Sequence, residues 1–252
     1  DVYKRQVPTT IIPAVAGMAV AQGERELLDS LSVVPAGMLI NAIFLSVWIY
    51  LPRVTASMGS ERSLAVTTAT ALLAWAMFSM VTILCIGELS EYGTGPRTIG
   101  MIGIALTAVF GIVLGWKPYE SPKGSREVSK SILLARGLMA ATAIGASVWV
   151  AGLGYPLLAG LASVFPAIFL TSMVSLWISQ GPSVPRGAAA PMLLGGGSVG
   201  VYSLVAMYSL EAHGIILGSI MSWVTAVAVW SMPSYIYLRW RTGVGDSRKV
   251  SS

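Results

Sequence analysis

The sequence predicts an all-α protein: a polytopic transmembrane helix bundle with eight helices present, nine expected in the full-length chain, arranged as two inverted-topology repeats. Three observations carry that expectation. Of 252 residues, 55% are hydrophobic and 11% charged, whereas a soluble domain carries about 25% charged residues. The mean hydropathy is +0.74, and the apolar residues come in blocks of about 20, the number a helix needs to cross the hydrocarbon core. Two stretches also resemble each other at an offset of 158 residues, Val7 falling on Phe165.

The elements follow in order. Residues 1–6, Asp1-Val2-Tyr3-Lys4-Arg5-Gln6, read as the in-frame translation of GAT-GTG-TAT-AAG-AGA-CAG, part of a transposon end used in sequencing libraries. We therefore expect them to be non-native and the natural N-terminus to lie upstream. Apolar segments are expected at about 7–22, 34–51, 63–87 and 98–116. A polar loop, 117–130, separates these from segments at 131–151, 156–179, 188–209 and 214–238, and a polar tail, 239–252, closes the chain. Grouped, these give a first repeat (7–97), a linker helix (98–116), a loop (117–130), a second repeat (131–240) and a tail (241–252).

Loop charges test the alternation. One side receives Arg53, Arg62, Lys117, Lys123, Arg126, Lys130, Arg136, Arg186, Arg239, Arg241, Arg248 and Lys249, and the other receives Arg25 and Arg97. Such a bias marks the cytoplasmic side, so the loop 117–130 and the C-terminus are expected in the cytoplasm of a cell-membrane protein. The acidic loop 24–29, the turn at 88–97 and the turn at 211–213 are expected outside. The pI of about 9.5 is thus read as membrane orientation, and no nucleic-acid partner is expected. The lipid bilayer is the expected partner, with a small-molecule solute as a further possibility.

The duplication has a topological consequence. Beyond the first match, Gly37 pairs with Gly195, Val47 with Val205 and Tyr50 with Tyr208. After a three-residue shift, Thr70, Trp75, Met77 and Ser79 pair with Thr225, Trp230, Met232 and Ser234. Segments one to three then correspond to six to eight. A displacement of five is odd, so matching helices run in opposite senses, a construction common among secondary transporters.

The second copy resembles the GlpM family of small four-helix membrane proteins. The likeness rests on Tyr155-Pro156-Leu157-Leu158-Ala159-Gly160-Leu161 running into Phe165-Pro166, and on the apolar segments after it. It covers about 131–240 and, more faintly, 7–87. Members of that family lack an established activity, so the resemblance implies a fold rather than a reaction.

Candidate site residues centre on two prolines. A proline inside a helix removes the hydrogen bond to the carbonyl four residues earlier and bends the chain. For Pro166 that carbonyl is Ala162's, with Ser163 nearby to help satisfy it. Pro166 lies about ten residues into its segment, close to the bilayer centre at 1.5 Å per residue. Pro8 is its repeat partner, with the hydroxyls of Thr9 and Thr10 beside it. Inverted breaks at the midplane are where transporters bind substrates, although proline also serves as a plain kink in membrane helices. Gln22 and Gln180 end the two proline helices, each before a glycine of the kind that usually follows a helix. Asn41 and Ser198 are polar residues inside segments, and such groups often hydrogen-bond a neighbouring helix.

Other features point away from chemistry. Gly195-Gly196-Gly197-Ser198-Val199-Gly200 lacks the Lys-Ser/Thr of a phosphate loop. The spacings Gly196–Gly200, Gly111–Gly115 and Gly214–Gly218 suit close helix packing. Trp48, Tyr50, Trp116, Tyr155, Trp177, Tyr208, Tyr237 and Trp240 lie near segment ends, as interfacial anchors do. One cysteine, Cys85, and one histidine, His213, argue against a disulfide, a metal centre or a cofactor. Glu211 and His213 share a turn that could hold a cation weakly. No ionisable residue lies mid-span, which disfavours proton coupling through a buried carboxylate. Three functions stay open: a permease for a neutral solute, a non-transporting protein that organises partners or lipids, and a lipid-modifying membrane enzyme.

Overall fold

The computed structural model describes residues 11–21, 24–115 and 130–250, and every regular element among them is helical. In order these are α1 (Ile11–Ala21), α2 (Glu24–Val54), α3 (Ser60–Glu91), α4 (Pro96–Gly115), α5 (Lys130–Gly152), α6 (Pro156–Ser163), α7 (Ala167–Gln180), α8 (Ser183–Ala226) and, after a π-helical turn at Val227–Ser231, α9 (Met232–Val250). Five helical stretches are long and apolar enough to cross a membrane: Glu26–Val54, Ser60–Leu89, Lys130–Gly152, Pro156–Gln180 and Ser183–Arg241. Shorter apolar helices cover Ile11–Ala21 and Arg97–Val113.

Breakers divide the chain where glycine or proline chemistry demands it. The 59-residue stretch Ser183–Arg241 folds back at Gly214, whose φ of 73° lies in the left-handed region that a side chain disfavours. Its two limbs then pack antiparallel. Ser209 Oγ donates to the Gly218 carbonyl at 3.0 Å, and Trp230 Nε1 donates to the Leu194 carbonyl at 2.6 Å. The α2–α3 turn passes through Gly59 (φ 82°), and the Thr55 and Ser63 hydroxyls bond across it at 2.6 Å.

Two boundaries differ from expectation. The acidic stretch 24–29, expected as a loop, forms the first turns of α2. The tail expected from 239 continues α9 to Val250. Both carry charges at helix ends, where periodic apolar residues stop but backbone hydrogen bonding continues, so hydropathy marks the span and not the helix. The expected loop 117–130 lies outside the described residues except for Lys130, which opens α5.

α2 is the axis of the bundle, packed by α3, α4, α6 and the first limb of α8. Its most apolar window is 72% buried, against 17% for α3 and 6% for α5. Helices in lipid gain nothing from hiding apolar surface, so close packing has to hold them together. Small residues supply it. A Cβ on Gly103 of α4 would stand 2.9 Å from the Ala36 nitrogen, and one on Gly200 would stand 2.7 Å from Ile104 Cδ1. Gly160 lies directly against the Ser30 carbonyl, and Gly197 against the Trp230 ring. The glycine run on α8 is thus a packing surface.

Two of the expected interfacial anchors are core residues instead. Trp48 is fully buried and meets Trp177 edge-on at a ring separation of 6.1 Å. Both lie close to helix ends in sequence, but position along a segment does not say which face of the helix a ring takes. Tyr50, Tyr155, Tyr208 and Trp240 are exposed, as anchors are.

The helix ends sort onto two faces. Trp177 Nε1 donates to Ser60 Oγ at 3.2 Å, bringing the end of α7 to the start of α3, near Arg53, Arg62 and Arg186. We refer to this as the basic end. At the opposite end Ser30 Oγ donates to the Pro156 carbonyl at 2.9 Å, and Arg97 pairs with Glu211 at 2.7 Å. α1 ends where α2 begins, at that opposite end, whereas α7 ends at the basic end. The two helices therefore run in opposite senses.

Candidate functional site at the broken helix

The stretch Pro156–Gln180 is one span by hydropathy and two helices by geometry. α6 starts on Pro156, a favoured first helical residue because its missing N–H needs no partner there. It stops at Ser163. Val164 N–H and Phe165 N–H turn inward to the Leu161 and Ala162 carbonyls, each at 3.1 Å, in the tighter three-residue pattern. Pro166 contributes no N–H, Ala167 N–H reaches the Phe165 carbonyl at 2.7 Å, and α7 resumes with Leu170 N–H on the Pro166 carbonyl at 2.7 Å. The break lies about 14 Å along a stretch of about 37 Å, at 1.5 Å per residue.

The expected partner scheme is corrected here. The Ala162 carbonyl is taken by Phe165 N–H, and the Ser163 hydroxyl donates to Gly160 at 2.6 Å. The carbonyl in need is Val164's, which in a continuous helix would serve the amide four residues on. Asn41 Nδ2 donates to it at 2.9 Å, across 123 residues of sequence. Asn41 is 2% exposed, and its Nδ2 also stands 3.7 Å from Met38 Sδ. A side chain on α2 thus satisfies the backbone that Pro166 disrupts.

Two further features complete the site. Trp75 of α3 meets Phe165 edge-on, with ring centroids 5.1 Å apart and planes at 84°. On the α5 side a hollow of about 30 Å³ is lined by Ala140, Ala143 and Ile144 together with Ser163, Phe165 and Ala167. That volume holds about one water. Asn41 Oδ1 and Trp75 Nε1 are both buried without a hydrogen-bond partner.

The structure therefore brings Asn41, Ser163 and Pro166 together and leaves others apart. Ser198 is buried and donates to Gly195 at 2.8 Å within its own helix. Gln180 ends α7, fourteen residues beyond the break, and Gly181 after it has φ 87° with its N–H on Trp177 at 2.8 Å. It is a helix terminus, as the capping rule anticipates. Pro8, Thr9, Thr10 and Gln22 lie outside the described residues. In sequence Trp75 stands out only as a repeat partner of Trp230; its distance from Gly59, close to that of Asn41 on the other side of the α2–α3 turn, was the available signal.

At the opposite end Glu211 is not a free ligand. It pairs with Arg97, whose guanidinium sits 4.5 Å from the Tyr208 ring centroid. No group of three or more metal-ligating side chains occurs among the described residues. No family model, curated protein or solved structure matches this chain. The class the geometry defines is a helical protein with several apolar helices long enough to span a membrane, carrying a proline break within the stretch Pro156–Gln180.

Proposed function

We propose that this chain is a permease-like membrane protein that moves a small uncharged solute past the break at Val164–Pro166. The observation that carries the reading is the Val164 carbonyl held by Asn41 inside a membrane-length stretch. Irregular backbone at membrane depth is tolerated where it is buried in protein or lines a cavity, and discontinuous helices form many solute sites. The opposed senses of α1 and α7 support an inverted repeat, with the break at Pro166 in its second copy. Arg53, Arg62 and Arg186 at one end support a cytoplasmic orientation for that end.

One observation favours a second reading, a non-transporting protein that organises lipids or partners. The hollow beside the break is only about 30 Å³, and α2 is packed closely on all sides. In the permease reading this is the closed state, one of at least two the protein visits.

The test is water access from both faces. With Cys85→Ala as background, Ser163→Cys is reacted in sealed vesicles with a membrane-impermeant thiosulfonate applied from each side in turn. Modification from both sides supports a site that opens alternately, and modification from one side alone contradicts alternation. A cysteine that reacts from neither side contradicts the permease reading and leaves the organising one.

A further inference from the structure

The break leaves two polar atoms unused, on neighbouring sides of one dipeptide. The Asn41 amino group is committed to Val164, but the carbonyl end of the same carboxamide, Oδ1, has no partner. Trp75 sets its ring against Phe165, the next residue, and its Nε1–H has no partner. Buried polar atoms are nearly always paired, so each exception calls for an explanation. One of these two is an acceptor and the other a donor. Neither is ionisable, and the residues of the break, Ser163 to Ala167, carry no charge either.

We propose that the site takes a small uncharged solute bearing a carboxamide or urea group, with Asn41 Oδ1 accepting its N–H and Trp75 Nε1–H donating to its C=O. This rests on the permease reading and names its substrate class. A charged solute would enter a site with no counter-charge, at a large desolvation cost. The rings of Trp75 and Phe165 touch edge to face, so a planar group would stack on Trp75 only in place of Phe165. The backbone of the break already binds this chemistry, since the group on the Val164 carbonyl is itself a carboxamide N–H. The hollow of about 30 Å³ holds about one water. A solute of four or more heavy atoms therefore enters only when Phe165 swings off Trp75 and the hollow joins the polar pair.

The experiment uses the full chain in proteoliposomes, with urea, acetamide and glycerol as probes and stopped-flow light scattering as the readout. Urea and acetamide are expected to equilibrate faster than in protein-free vesicles, and faster than glycerol relative to the same control. Trp75→Phe keeps an aromatic ring beside Phe165 and removes the N–H, which is unpaired in the empty protein, together with the pyrrole half of the indole. It should lower thermal stability modestly and slow amide flux per folded protein about tenfold, the worth of one good hydrogen bond. Acetamide should also slow modification of Ser163→Cys, which keeps the proposal testable if Trp75→Phe folds poorly. Glycerol moving as fast as the amides, full amide flux in Trp75→Phe, or no protection of a reactive Ser163→Cys would each overturn the amide assignment while leaving the permease reading intact. An unreactive Ser163→Cys would overturn both.

Discussion

Asn41 sits where one side-chain amide decides whether a backbone carbonyl is paired. An average interhelical polar contact in a membrane is worth about 0.6 kcal/mol. Removing this one leaves the Val164 carbonyl buried and unpaired, which costs more, about 1–3 kcal/mol. Asn41→Leu should therefore lower the unfolding temperature in detergent, whereas Ser198→Ala, which deletes a bond inside its own helix, should change it little. An Asn41→Leu protein as stable as the parent would mean that the carbonyl finds another donor. The break itself was legible in the sequence, because proline in an apolar run has one backbone consequence whatever surrounds it. Its partner was not. Nothing local to Val164 points to a residue 123 positions away, and the carbonyl expected to be unpaired, Ala162's, accepts from Phe165 N–H instead. Trp48 and Trp177 failed for a related reason: closeness to a segment end does not say which face a ring takes.

At the scale of elements, glycine chemistry separates contact from conformation. Gly214 has open space around it, with φ 73° and ψ 175°, a backbone region that essentially only glycine adopts, so Gly214→Ala should cost about 1–3 kcal/mol through backbone strain alone. Gly197 is helical and lies against the Trp230 ring. Gly197→Ala should cost about 1–3 kcal/mol by overpacking, and should also disturb the bond from Trp230 to Leu194. On α5, Gly137 and Gly145 meet nothing within 4 Å, so alanine there should be neutral or stabilise by up to about 1 kcal/mol. Thermal melts of these four variants in one detergent check all of these expectations. That the chain holds several long apolar helices was legible, because blocks of about 20 apolar residues have few alternatives. Helix ends were not: the charged first turns of α2 and the polar last turns of α9 are helical for backbone reasons that hydropathy does not sense.

For the whole molecule, the arrangement divides into a close-packed axis, α2 with α8, and loosely held outer helices, α3 and α5. The ion pair between Arg97 and Glu211 ties α4 to α8 at the end away from Arg53, but both side chains are well exposed. Such pairs contribute about 0–1 kcal/mol, so Arg97→Ala should shift the melting temperature slightly and less in high salt. Packing at the glycines, and not charge, holds the bundle. The opposed senses of α1 and α7 agree with the repeat spacing, and Arg53, Arg62 and Arg186 gather at one end of the bundle. What no spacing could show is whether water reaches the break between them. Hydrogen exchange of the full chain in lipid nanodiscs measures that directly, comparing amides of 160–170 with those of 40–50 in α2. The account expects the break to exchange at least about tenfold faster than the equally deep helix, reflecting local opening, and Pro166→Ala to abolish the difference. Equal protection of the two segments in the parent protein would contradict it.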